Sequence, residues 1–189
     1  MGGGDGGRTG PALGLIETAS IARGHVVLDQ MVKKAAVTVL DAWTASPGKY
    51  LVLVVGEVAE VEEAMASGLE AAGEHLLDQL ILPHPHSSIV PAIGGAATKL
   101  ERRSMAVVET GTVAAAIRAA DASVKAAEVE VVELRLATGL GGKAYFVVAG
   151  DLAAVEAAAE AATAEAGGDK LVNAEIIANP HPDMSERIR

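Results

Sequence analysis

The sequence has no cysteine. That excludes disulfides, cysteine-ligated zinc and cysteine-held iron–sulfur clusters, and it fits a cytoplasmic location. Aromatic residues are nearly as scarce: one Trp, two Tyr and one Phe make up 2% of the 189 residues. Such a chain offers few flat rings for stacking bases or sugars, so its core must be built from Ala, Val, Leu and Ile. An excess of positive charge is also missing. A net charge of −10 and a pI near 4.9 argue against a nucleic-acid ligand. No run of 18 apolar residues occurs, so no membrane span is expected. The segment Met1–Arg8 has no apolar stretch and does not read as a secretory signal. Residues 1–10 are Gly-rich and are expected to form a disordered tail. Their glycines are not a phosphate loop, because no strand precedes them and no Lys-Ser/Thr follows.

What the chain does contain is a repeat. Ala12-Leu-Gly-Leu-Ile-Glu17-Thr18 returns as Ser104-Met-Ala-Val-Val-Glu109-Thr110, 92 positions later. Asp29 and Lys33 answer to Asp121 and Lys125 at the same spacing. Gly48-Lys49 matches Gly142-Lys143 at 94, and Pro85-His86 matches Pro180-His181 at 95. A spacing that drifts by so little describes two copies of one domain with small changes in loop length. The expected division is a tail at 1–10, a first domain at 11–93, a linker at 94–103, a second domain at 104–184 and a tail at 185–189. Units of about 90 residues are small for independent stability and gain from packing on one another.

The pattern within a copy is strand, helix, strand, strand, helix, strand. In the first copy Ala12–Thr18 reads as a buried strand, and Ser20 can cap a helix running to about Ala35. Ile21, Leu28, Val32 and Ala35 form the apolar stripe of that helix, with Lys33 and Lys34 in its last turn. Val37–Trp43 and Tyr50–Val55 read as strands around the turn Thr44-Ala-Ser-Pro-Gly48. Val58, Val61, Met65, Leu69 and Ala72 give a second stripe, and Leu76–Leu82 closes the copy before Pro83-His-Pro-His86. The second copy repeats the order. Its stripes are Val113, Ala116, Ile117, Ala120 and Val124, then Leu152, Val155, Ala159, Ala162 and Ala166. Its hairpin turns through Gly139-Leu-Gly-Gly142, and Leu171–Ala178 is its last strand. The fold class is therefore α+β: two tandem copies, each a mostly antiparallel four-stranded sheet flanked by helices.

Taken together, Gly-Leu-Ile-Glu-Thr, Asp-x-x-x-Lys, a Gly-containing hairpin, Val-x-Gly-Glu/Asp-Val-x-x-Val-Glu and Pro-His resemble the bacterial microcompartment shell domain. The match covers residues 12–184 and points to the tandem-domain, trimer-forming class of shell proteins. Within that class, Ser20-Ile-Ala-Arg-Gly24, Ser46-Pro-Gly-Lys49 and Ala137-Thr-Gly-Leu-Gly-Gly-Lys143 resemble the propanediol-utilisation branch. The resemblance implies a structural protein and no enzyme. Flat homotrimers, whose six domains mimic a hexamer, would tile with other shell proteins around encapsulated enzymes and pass small metabolites through an axial pore. It implies pore lining by Ala45, Ser46, Pro47 and Gly48 and by Gly139, Leu140, Gly141 and Gly142. It also implies tile-edge contacts at Lys33 and Lys125. The edge position that often holds Arg is His84 in one copy and Asn179 in the other. In the propanediol branch a cysteine stands at the position of Ser46 and holds an iron–sulfur cluster; with Ser46 there, no cofactor is expected.

Lys49 and Lys143 are either solvated strand starts or a positive collar that draws anions towards the pore. Glu17 and Glu109 recur at strand ends. An acid–base pair is conceivable, but a structural hydrogen bond in each copy explains both, so no catalytic residue is assigned. His84 and His86 lie two apart on an extended segment, yet only His86 has a counterpart, His181, and no carboxylates accompany them; no metal site is assigned. Gly139-Leu-Gly-Gly142 joins two strands and is not a dinucleotide loop. The rival functions are a metabolite-binding sensory oligomer and an electron-transfer shell protein with a pore-bound cofactor.

Overall fold

The computed structural model describes residues 12–95 and 103–185. The tail expected at 1–10, residues 96–102 of the linker and the last four residues lie outside the described residues. The first domain runs β1 (Ala12–Thr18), α1 (Ile21–Lys34), β2 (Thr38–Ala45), β3 (Lys49–Gly56), α2 (Val58–Ala72) and β4 (Leu76–Leu82). A short helix, α3 (Ile89–Ile93), follows. The second domain runs β5 (Ser104–Thr110), α4 (Val113–Ala126), β6 (Glu130–Leu136), β7 (Ala144–Gly150), α5 (Leu152–Ala166) and β8 (Leu171–Ile177), then α6 (Pro182–Ser185).

Each domain is a four-stranded sheet, ordered β2-β3-β1-β4 and β6-β7-β5-β8, and every strand pair is antiparallel. Even the irregularities repeat. The register shifts after Val39 in β2 and after Val131 in β6, and again at Glu17/Thr18 and Glu109/Thr110. The helices start where the sequence places caps. The Ser20 hydroxyl accepts the Arg23 N–H at 3.3 Å, and the Thr112 hydroxyl accepts the Ala115 N–H at 3.3 Å, each satisfying a donor left free at a helix start.

Only part of the stripe read on α1 faces the domain's own core: Leu28 and Ala35 pack against it beside the buried Gly24, Val27 and Met31, while Ile21 and Val32 stay exposed. The equivalent helix α4 is buried on almost every side, from Val113 to Val124. The reason is position: α4 is held between its own sheet and helix α5 on one side and strands β1 and β4 of the first domain on the other. Val113 and Val124 thus join Leu13, Leu15, Leu53 and Leu80 in one buried cluster that runs through both domains. Among the described residues, Ile21 and Val32 on the equivalent face of α1 are left exposed. Helix α3 was not expected at all; its Ile89 and Ala92 are buried, and it packs on β6 of the second domain.

Candidate functional site at the junction of the two domains

The two loops singled out from the sequence lie side by side. The turn between β2 and β3 is closed by the Gly48 N–H, which donates to the Ala45 carbonyl at 2.9 Å. Ala45 is buried, whereas Ser46 and Pro47 are exposed at the tip. In the β6–β7 loop, Leu140 N–H donates to Ala137 O and Lys143 N–H to Leu140 O, both at 3.2 Å. Gly142 is the point where the loops touch. Its φ is +85°, and a Cβ there would stand 2.6 Å from the Ser46 carbonyl oxygen and 3.0 Å from Lys49 Cε. Only glycine fits that approach.

Lys49 fastens the contact. Its side chain is only 13% exposed, and its ammonium donates to Gly142 O at 3.0 Å and Gly111 O at 3.5 Å, with Glu17 Oε2 at 3.4 Å. Glu17 is fully buried, and its Oε1 accepts the Ala114 N–H in the first turn of α4 at 2.8 Å. A carboxylate at a helix N-terminus is favourable. Here burial dominates and pushes the Glu17 carboxyl above its ordinary value, against the opposing pull of the Ala114 N–H and Lys49. Three further links cross the junction. The Thr112 hydroxyl donates to Asp78 Oδ2 at 2.6 Å, the His86 N–H donates to Asp121 Oδ1 at 2.6 Å, and the Arg118 guanidinium donates to Gln79 O at 3.0 Å.

The second copy of each group is placed differently. Glu109 and Lys143 pair with one another at 2.8 Å at the protein surface. Lys33 is exposed and bonded to Asp29 at 2.7 Å, one helical turn earlier. Lys125 pairs in the same way with Asp121, but that aspartate is buried beneath the end of the first domain. His84 and Asn179 occupy equivalent exposed positions, with φ of +52° and +50°. His86 turns its Nδ1 to the Ser88 hydroxyl at 2.8 Å. Ser46 is a hydroxyl in a chain without any thiolate, so the loops do not fit an iron–sulfur cluster.

Sequence reasoning placed the two loops but missed what joins them. Asp78 and Thr112 were not singled out, Asp121 was read only as a repeat position, and Glu17 was read as bonded within its own copy. Its partner lies 97 residues away, in the other copy. The duplicated Glu at a strand end was the one available signal.

Comparison with known proteins agrees with this architecture. The BMC domain model matches residues 12–85 and again 104–180. The chain is 43% identical over 175 residues to the bacterial microcompartment shell protein PduT of Citrobacter freundii, covering 92% of this chain and 95% of that protein. The crystal structure of a microcompartment protein from Desulfitobacterium hafniense superposes with a TM-score of 0.84 at 36% identity, covering 93% of this chain and 98% of that one. The fold is shared further with a fused, permuted hexameric shell protein of the RMM microcompartment, at a TM-score of 0.66 and 23% identity over 82% of this chain and 83% of that one. Two BMC domains in tandem, joined through a buried junction, place the chain in the bacterial microcompartment shell protein family, where its role is structural.

Proposed function

We propose that three copies of the chain close into a ring that serves as one tile of a shell facet, with a central opening for small polar metabolites. The observation that carries this reading is the difference between α1 and α4. Ile21 is 40% exposed and Val32 42%, whereas their counterparts Val113 and Val124 are 0% and 8% exposed. The same holds on β2, where Val39 and Leu40 are exposed while Val131 and Val132 on β6 are buried. A face that the chain buries in one copy and leaves open in the other fits the second domain of a neighbouring chain. That contact is head-to-tail, and a head-to-tail contact closes into a ring when its rotation divides the circle. The surface that would meet α1 is the open face of the second sheet, where Val107, Tyr145 and Ile177 are only partly buried around Met105 and Val147.

In such a ring the tips at Ser46 and Gly139–Gly141 surround the axis, with Gly142 buried behind them at the contact between the loops. Three Ser46 hydroxyls offer donors and acceptors without fixed charge, which suits neutral or weakly anionic metabolites. Lys33 and Lys125, with His84 and Asn179, would lie at the tile edge against other shell proteins, and the sheet so formed would enclose the cargo enzymes. Native mass spectrometry tests the ring. A species of three times 19.1 kDa is expected, and a monomer at every concentration would sink the reading. Ser46→Leu should slow metabolite passage through assembled sheets, and unchanged flux would remove Ser46 from the pore.

A further inference from the structure

We infer that Glu109 and Lys143 are the inter-subunit ties of the pore, doing between chains what Glu17 and Lys49 do within one. The inference rests on the ring proposed above and adds what holds its loops in register. Within the chain, one carboxylate and one ammonium fix the β2–β3 turn against the β6–β7 loop. Glu17 takes the first-turn N–H of α4, and Lys49 spans from Glu17 to the Gly142 and Gly111 carbonyls. The repeat maps each of these groups onto another. Glu17 becomes Glu109, Lys49 becomes Lys143, Ala114 becomes Ala22, Gly142 becomes Gly48 and Gly111 becomes Ala19.

The acceptors and donors on the far side are open. Ala22 lies exposed in the first turn of α1, and Gly48 is half-exposed at the base of its turn. On the near side Glu109 and Lys143 stand at the surface, already paired at 2.8 Å, as Glu17 and Lys49 are paired in the interior. Docking the second sheet on a neighbouring α1 brings the Glu109 carboxylate to the N–H of the partner's Ala22. Lys143 then reaches the carbonyls of the partner's Gly48 and the partner's Ala19. A third pair follows the same rule. Asn173 stands where Asp78 stands and Ser20 where Thr112 stands, so the Asn173 amide oxygen accepts from the hydroxyl of the partner's Ser20.

Six loops around the axis are thereby tied to one another by alternating internal and inter-subunit lysines. The two lysines are loop ties and not an anion-drawing collar. Each is matched by a glutamate, which leaves the rim of the opening nearly neutral and agrees with hydroxyl-based passage of uncharged metabolites.

The test is trimer dissociation on dilution, followed by native mass spectrometry on the full chain, for wild type, Glu109→Ala, Glu109→Gln and Lys143→Met. Loss of a charge-assisted hydrogen bond should raise the dissociation concentration about tenfold or more in Glu109→Ala and Lys143→Met, and less in Glu109→Gln, which keeps its acceptor oxygen. The melting temperature of the dissociated chain should stay within about a degree of wild type, because both groups are at the surface of the single chain. Hydrogen exchange of trimers held well above that concentration gives a second readout. Residues 45–49 should exchange faster in Lys143→Met. A trimeric wild type whose variants dissociate and exchange as it does, with only anion passage reduced, would overturn the ties and restore the collar. A wild type that is monomeric throughout would overturn the ring itself.

Discussion

At the scale of single residues, the two copies reach the same geometry by moving volume across a contact. Gly24 on α1 has no room for a side chain, since a Cβ there would meet the Tyr50 ring at 2.4 Å. The second copy places Ala116 and Ala144 at the equivalent positions. Gly14 meets Met65, and its counterparts are Ala106 and Ala159; Gly68 meets Met31, and its counterparts are Ala162 and Ser123. In all three pairs glycine faces a large side chain in one domain where alanine faces a small one in the other. Gly24→Ala alone is therefore expected to cost about 1–3 kcal/mol by overpacking, less about 1 kcal/mol regained in helix propensity. Tyr50→Ala alone leaves a cavity. The double variant reproduces the second-domain pair, so its loss in urea unfolding should fall short of the sum by about 1 kcal/mol; strict additivity would refute the exchange. Glu17 supplies a prediction of another kind. Its carboxyl is raised in the folded chain, so between the unfolded value and the folded one the native state binds more protons, and its contribution to stability falls as pH rises through that window. Glu17→Gln keeps an acceptor for the Ala114 N–H but cannot titrate. Its melting temperature, relative to wild type, should improve from pH 4 towards neutrality. Parallel pH curves would show that the buried carboxyl exerts no such effect.

At the scale of elements, the strands and the helix order were legible because alternating and continuous apolar runs are bounded by Gly and Pro, and because each element occurs twice. What the pattern could not give was the partner of an apolar face. The stripe Ile21–Val32 is real, but helical periodicity says which positions are apolar and not what covers them. The core face of α1 was hidden because Gly24 contributes no side chain to the pattern. Helix α3 escaped because five residues containing Pro91 carry no period. The ties across the junction escaped because no local spacing links Glu17 to Ala114. The two helices now make a paired expectation. Val32→Lys on α1 should change the folding stability of the isolated chain by no more than about 0.5 kcal/mol while abolishing the trimer in sedimentation. Val113→Lys on α4, at a fully buried position, should destabilise the fold itself by several-fold more, because an ammonium would have to enter the joint core. If Val32→Lys trimers persist at wild-type concentrations, α1 is not the docking face.

At the scale of the whole molecule, charge sets the problem that assembly has to solve. Each chain carries a net charge of −10, so tiles brought edge to edge repel one another, over about 10 Å at 0.1 M salt. A lysine on an edge is one of the few groups that can relieve this repulsion. Lys33 is 67% exposed, and among the described residues its ammonium bonds Asp29, one turn away. Such an i,i+4 surface pair contributes no more than about 0.5 kcal/mol, so folding gives little reason for a lysine at that place. Lys125 sits at the same place in the second copy, over an aspartate that the first domain's tail already occupies. Replacing both, as Lys33→Ala with Lys125→Ala, should therefore leave the melting temperature within a few degrees and the native mass unchanged. If the lysines serve the tile edge, the variant should lose the flat sheets seen by electron microscopy, or form them only at higher salt, where the repulsion is screened. Sheets that form unchanged at low salt would return both lysines to the role of helix-terminal cations, and the cohesion of the facet would have to come from the exposed positions around His84 and Asn179.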